Sequence, residues 1–121
     1  MPTILVVEDH QDTLEMMAKI VGGFGYRVLT ALTAEAALAV LASEKPDLII
    51  VDGMMPGMNG TEFIRLCRAN PDTSVTPIML YSAVTDAQFA KDALAKGATE
   101  VWHKGVIEFS QIRERLAHYL R

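Results

Sequence analysis

Five side chains able to handle metal and phosphate stand at equivalent places, each at the end of a short apolar run or just past it. Ile4 to Val7 runs into Glu8-Asp9, Leu48 to Val51 into Asp52, Ile78 to Tyr81 into Ser82, and Glu100 to His103 into Lys104. Asp52 is followed at once by Gly53-Met54-Met55-Pro56-Gly57, which cannot continue a strand. Open α/β sheets place their chemistry at the carboxyl ends of their strands. Three carboxylates, a hydroxyl and an ammonium would then meet at one edge of one sheet. Crowded carboxylates repel and raise one another's pKa. A hard cation such as Mg²⁺ removes that repulsion and commonly joins one or two carboxylates to a phosphate. Asp52 could then attack phosphorus and form an aspartyl phosphate. Lys104, Ser82 and the cation would each take one phosphoryl oxygen.

Each residue taken singly has a plainer reading. Glu8-Asp9 could cap a helix, Asp52 could belong to a turn, and Ser82 and Lys104 could be a cap and a solvated lysine. The combination is more specific, because each member closes a different strand. His10 and His103 flank the site but lack paired ligand spacing, and read as a helix start and a strand end. Methionines 54, 55 and 58 lie on the loop after Asp52 without a cofactor role, and Cys67 reads as a small packing residue.

The elements that must position these residues alternate along the chain. Strands are expected over Thr3 to Glu8, Arg27 to Ala31, Asp47 to Val51, Pro77 to Tyr81 and Thr99 to His103. Between them the apolar residues recur at helical spacing. Gln11 to Val21 is stopped by Gly22-Gly23; Ala34 to Ser43 has Thr33 as its cap; a third helix runs from Asn59-Gly60-Thr61 to Ala69. Thr85-Asp86-Ala87-Gln88 has the form of a capping box for a helix ending at Gly97, and Phe109 to Tyr119 is the last helix. This alternation predicts an α/β fold, a five-stranded parallel sheet doubly wound by right-handed crossovers. Strand order cannot be read directly from the alternation; the expected order 2-1-3-4-5 sets the first and third strands side by side and brings Glu8, Asp9 and Asp52 together.

The 121 residues suit one domain, expected to span 1–121 without linker or repeat. Eleven basic against fifteen acidic side chains give a net charge of -4 and leave no basic stripe for direct nucleic-acid binding. A single cysteine excludes an internal disulfide and fits a reducing compartment. No apolar stretch approaches the roughly 20 residues of a membrane span, and no secretory leader precedes Ile4. A cytoplasmic protein is expected.

The segments Val6-Val7-Glu8-Asp9, Asp52-Gly53-Met54-Met55-Pro56-Gly57-Met58-Asn59-Gly60, Pro77-Ile78-Met79-Leu80-Tyr81-Ser82-Ala83, and Gly97-Ala98-Thr99 leading to Lys104 carry a family likeness. Over essentially its whole length the chain resembles the receiver domain of two-component response regulators. The resemblance implies a flavodoxin-like fold and a phosphorylation-controlled switch in phosphorelay signalling. It implies no enzymatic activity beyond self-catalysed aspartyl phosphorylation and dephosphorylation. Asp52 would be the phosphoacceptor, Ser82 the switch hydroxyl and Lys104 the phosphoryl contact. Asp9 would bind Mg²⁺ directly, Glu8 mainly through water, with Asp52 and the backbone carbonyl of Met54 completing the protein ligands. The phosphodonor would be the phosphohistidine of a sensor histidine kinase or a histidine phosphotransfer protein. Output, and a homodimer if one forms, would use the fourth helix, fifth strand and fifth helix, with Phe89, Lys91, Glu100 and Arg113 on that face. The sequence names neither a downstream protein target nor a fused effector domain.

Two positions depart from the family pattern. Gly105 stands where proline is usual, and Val101 where Tyr or Phe is usual. Val101 cannot swing as a ring does. Trp102 points to the opposite face of its strand and is expected to pack on the last helix. Switching is therefore expected to rest on backbone shifts after Ser82 and at Lys104-Gly105. The competing reading is a protein-binding module that keeps the fold without using phosphate. A flavin-binding protein would need a hydroxyl-rich loop where Glu8-Asp9-His10 stands. A haloacid-dehalogenase-type phosphatase would want an acid at Met54.

Overall fold

The computed structural model describes residues 1–55 and 57–120. Pro56, part of the motif after Asp52, lies outside them, as does Arg121. The described chain runs β1 (Thr3–Val7), α1 (Gln11–Gly23), β2 (Arg27–Ala31), α2 (Ala34–Leu41), β3 (Leu48–Asp52), α3 (Gly60–Ala69), β4 (Ile78–Ser82), α4 (Ala87–Ala95), β5 (Glu100–His103) and α5 (Phe109–Tyr119). The five strands form one parallel sheet in the order β2-β1-β3-β4-β5, as expected. No described helix is long and apolar enough to cross a membrane.

Period-2 alternation along the strands divides the core in two. Leu5 and Val7, Ile49 and Val51, and Ile78 and Leu80 pack with Ala34, Ala37 and Leu41 of α2, Phe63, Ile64 and Cys67 of α3, and Ala93 of α4. Their neighbours Ile4 and Val6, Leu48 and Ile50, and Met79 and Tyr81 pack on the other face with Leu14, Met17 and Val21 of α1 and Ile112 and Leu116 of α5. Both faces are covered, so β1 and β3 carry continuous apolar runs. Each fully buried Ile or Leu contributes about 1.5–3 kcal/mol. Three helices on one face and two on the other follow from right-handed crossovers, which reverse direction between β1 and β3.

Helix ends depart from expectation in α1, α2 and α4, and α2 stops at Leu41 rather than Ser43. Gly22-Gly23 do not stop α1; they form its last turn, where the Phe24 N–H donates to the Val21 carbonyl at 3.1 Å and the Gly25 N–H to the Gly22 carbonyl at 3.0 Å. Thr85 does not open a capping box. Asp86 is the cap of α4, and its Oδ1 accepts from the Gln88 N–H at 2.9 Å. Thr33 caps α2 as expected, accepting from the Ala36 N–H at 3.0 Å. Parallel pairing then lays all carboxyl ends on one edge, with Val7 opposite Val51, Asp52 opposite Tyr81 and Ser82 opposite His103.

Candidate functional site

Asp52 is the last residue of β3 and Ser82 the last of β4, so both belong to strands rather than to the loops beyond. Glu8 follows β1, and its N–H donates to the Ala31 carbonyl at 3.1 Å, which extends the β1–β2 pairing by one bond. Lys104 follows β5, held by a 2.8 Å bond from its N–H to the Ser82 carbonyl. Strand pairing thus fixes four backbone origins before any side chain is placed.

The side chains converge. Glu8, Asp52 and Ser82 are buried. Lys104 Nζ donates to Glu8 Oε2 at 2.9 Å, lies 3.4 Å from Asp52 Oδ1, and sits 5.3 Å from the Tyr81 ring centroid. The Met54 N–H donates to Asp52 Oδ1 at 3.3 Å, while the Met54 side chain is exposed. Ser82 Oγ accepts from the Val84 N–H at 3.0 Å, which turns the chain after β4. One ligand atom each from Glu8, Asp9, His10 and Asp52 lie within 4.8 Å of one another. Among the described residues, Asp9 Oδ1 is the buried side-chain oxygen without a hydrogen-bond partner.

Crowding sets the electrostatics. Burial first, and then the charge of Glu8, push the Asp52 carboxyl up to about 7 against the pull of Lys104. Burial acts the same way on Asp9, but contact with Asp52 and the charge of His10 outweigh it and hold Asp9 below its ordinary value. Burial opposes the charge of Lys104, yet Glu8 and Asp52 overcome it and raise its pKa. Of the two neighbouring acids, Asp52 therefore holds a proton more readily than Asp9.

Glycine and aromatic neighbours shape the rest. Gly60 opens α3 against the chain just past β3, where a Cβ would stand 2.4 Å from the Asp52 carbonyl oxygen. Phe89 of α4 reaches over Gly53, whose would-be Cβ meets the Phe89 ring tip at 3.1 Å and Ser82 Oγ at 3.0 Å. An aromatic ring and Ser82 thus both border Gly53, the ring supplied by α4 rather than β5. Val101 packs with the α2–α4 side of the core, and Trp102 lies buried with Ile112 and Leu116 of α5, as expected. Gly105 has φ +79°, a conformation proline cannot adopt.

The sequence reading missed the Lys104–Glu8 bond and the Phe89 contact, both long-range choices of packing. His10, read as a helix start for want of paired ligand spacing, lies within the acid cluster. Of the residues expected on the output face, Lys91 is exposed, Phe89 is half-buried, and Glu100 is tied to Arg115, Trp102 and Tyr119. Arg113 is exposed but lies over the Phe24 ring, 5.9 Å from its centroid, on the α1 side of α5.

The fold and the site define a class: flavodoxin-like α/β domains with a lysine-bridged acid cluster at the carboxyl edge of the sheet. Residues 4–117 match the response regulator receiver domain, and the chain belongs to that family of two-component signalling proteins. It is 33% identical over 114 residues to the response regulator PleD of Caulobacter vibrioides, covering 91% of this chain and 25% of PleD. It is 35% identical over 98 residues to the phosphate regulon transcriptional regulatory protein PhoB of Pseudomonas aeruginosa, covering 81% of this chain and 43% of PhoB. The chain thus spans less than half of these relatives. Among solved structures, the Vibrio cholerae chemotaxis protein CheY4 superposes with a TM-score of 0.92 at 29% identity, covering 99% of each chain.

Proposed function

We propose that this chain is a phosphorylation-controlled signalling switch in which Asp52 accepts a phosphoryl group from the phosphohistidine of a sensor histidine kinase or phosphotransfer protein. The observation that carries the reading is the convergence of Asp52, Glu8, Asp9 and Lys104 on one sheet edge, with Ser82 beside them.

The donor set fits Mg²⁺, an ion of oxygen ligands, and the orphaned Asp9 oxygen is the kind of group a cation satisfies. Glu8, Asp9 and Asp52 would hold it, with the Met54 carbonyl as a further ligand. Bound there, Mg²⁺ would neutralise the acids and a phosphoryl oxygen. Asp52 supplies the nucleophilic oxygen: its bond to phosphorus forms as the bond from phosphorus to the donor nitrogen breaks, and that nitrogen keeps the electron pair. Lys104 supplies a positive charge for a second phosphoryl oxygen and would loosen its hold on Glu8 to do so. Ser82 supplies a hydroxyl for the third. Its movement would displace the Phe89 ring and so carry the change to α4. The surface of α4, β5 and α5 is the output face in this reading, and a second copy of the chain is one partner it could take.

Incubation with Mg²⁺ and acetyl phosphate, followed by intact mass, tests the proposal. The parent should gain about 80 Da, one phosphoryl group, and Asp52→Asn should gain nothing. An unlabelled parent would favour a binding module that does not use phosphate.

A further inference from the structure

We propose that His10 is a fourth side-chain ligand of the cation site and tilts its preference toward transition-metal ions such as Mn²⁺. This deepens the Mg²⁺ reading above and rests on it. His10 Nδ1 lies 3.3 Å from Glu8 Oε1 and 3.2 Å from Asp9 Oδ1. An octahedral ion with bonds of about 2.1 Å has neighbouring ligands about 3 Å apart and opposite ones about 4.2 Å apart. The two His10 separations match neighbouring positions, and the full set of four atoms lies within 4.8 Å. Small side-chain rotations would bring all four onto one ion.

The alternative role of the ring is a lid of hydrogen bonds over the acids. Its ring lies 3.3 Å from Glu8 Oε1, yet Asp9 Oδ1 at the shorter distance makes no hydrogen bond at all. The ring is thus near the oxygen that lacks a partner, without satisfying it. A shared ion satisfies both atoms. His10 also has room to adjust, because its side chain is 72% exposed at the head of α1. Its Nδ1 can serve as a ligand with the ring proton on Nε2.

The chemistry of that nitrogen decides the ion. Mg²⁺ prefers oxygen and parts with water reluctantly. Imidazole nitrogen suits the first-row transition ions, of which Mn²⁺ is the weakest binder, better than it suits Mg²⁺. A three-carboxylate site would discriminate weakly among hard divalent ions. Adding one imidazole raises affinity for Mn²⁺ while leaving Mg²⁺ nearly untouched.

The test loads the whole chain with Mn²⁺ alone and records pulsed electron paramagnetic resonance, with Mg²⁺ competition giving the affinity ratio. The variant is His10→Asn, which places a favoured cap residue at the head of α1, where His10 makes no side-chain cap bond, and replaces the nitrogen by a carbonyl oxygen. The parent should show nitrogen modulation from a directly bound imidazole, and His10→Asn should lose it. The preference for Mn²⁺ over Mg²⁺ should fall about tenfold in the variant. Mn²⁺ bound by the parent without nitrogen modulation, or an unchanged ratio in the variant, overturns the role of His10 and leaves the acid site standing. A parent that binds neither ion, or Mn²⁺ binding indifferent to Asp52→Asn, overturns the cation site itself, and the role of His10 with it.

Discussion

Asp52 keeps its proton to about pH 7 because burial and Glu8 oppose its charge more than Lys104 supports it. A carboxyl whose folded pKa is raised binds more protons folded than unfolded, so its cost to stability grows as pH rises from about 4 to about 7 and is then constant. Metal-free Asp52→Asn should therefore be more stable than the parent at about pH 8, by on the order of 2 kcal/mol, with little difference near pH 4. Urea midpoints at the two pH values check this. A cation needs the ionised form, so Mg²⁺ affinity should climb as pH rises through about 7 and level off above it. Titration calorimetry across that range would show the rise. These site residues were legible in the sequence because each closes an apolar run, and strand polarity does the rest. The pairing of Lys104 with Glu8, 96 positions away, was not legible. It is chosen by side-chain reach within the assembled edge, and no local pattern records it.

At the scale of elements, two polar clusters hold the packing in place. Arg68 of α3 donates through Nε to the Gly97 carbonyl at 2.9 Å and through Nη1 to the Thr76 and Thr73 carbonyls at 2.7 and 3.0 Å. One guanidinium thereby ties the loops that enter β4 and β5. Arg68→Lys should cost about 2 kcal/mol in denaturant unfolding, because an ammonium cannot reproduce the fork and leaves partly buried carbonyls unpaired. Glu100 ties β5 to α5, accepting from the Arg115 guanidinium, Trp102 Nε1 and Tyr119 Oη. Burial works to raise its pKa, but these donors hold it at about 2. Its contribution is present above its ordinary value near 4.5 and is lost as pH falls toward 2. Glu100→Gln should be less stable than the parent above about pH 5 by about 1–2 kcal/mol, and the gap should close near pH 2. Strand and helix identities were readable from period and caps. The exact start of α4 was not, since Thr85 and Asp86 are both good caps and only backbone geometry chooses between them.

For the whole molecule, alternating strands and helices with right-handed crossovers indicated a doubly wound parallel sheet, but its strand order could not be read directly. Nor could the route from the site to the surface. Val101 announces a missing ring, yet Phe89 reaches over Gly53 from α4, the helix that leads into β5. If Phe89 carries the motion, a beryllofluoride mimic should shift amide resonances from Ser82 through α4 and at Lys104-Gly105. Phe89→Ala should shrink the α4 shifts while leaving those at Lys104. Shifts confined to α2 would count against this route. The most direct measurement of the central claim is borohydride reduction of the chain after treatment with Mg²⁺ and acetyl phosphate, followed by peptide mass mapping. An acyl phosphate at Asp52 should be recovered as homoserine at that position alone, and only when Mg²⁺ is present. Reduction at another carboxylate, or at Asp52 regardless of Mg²⁺, would contradict it.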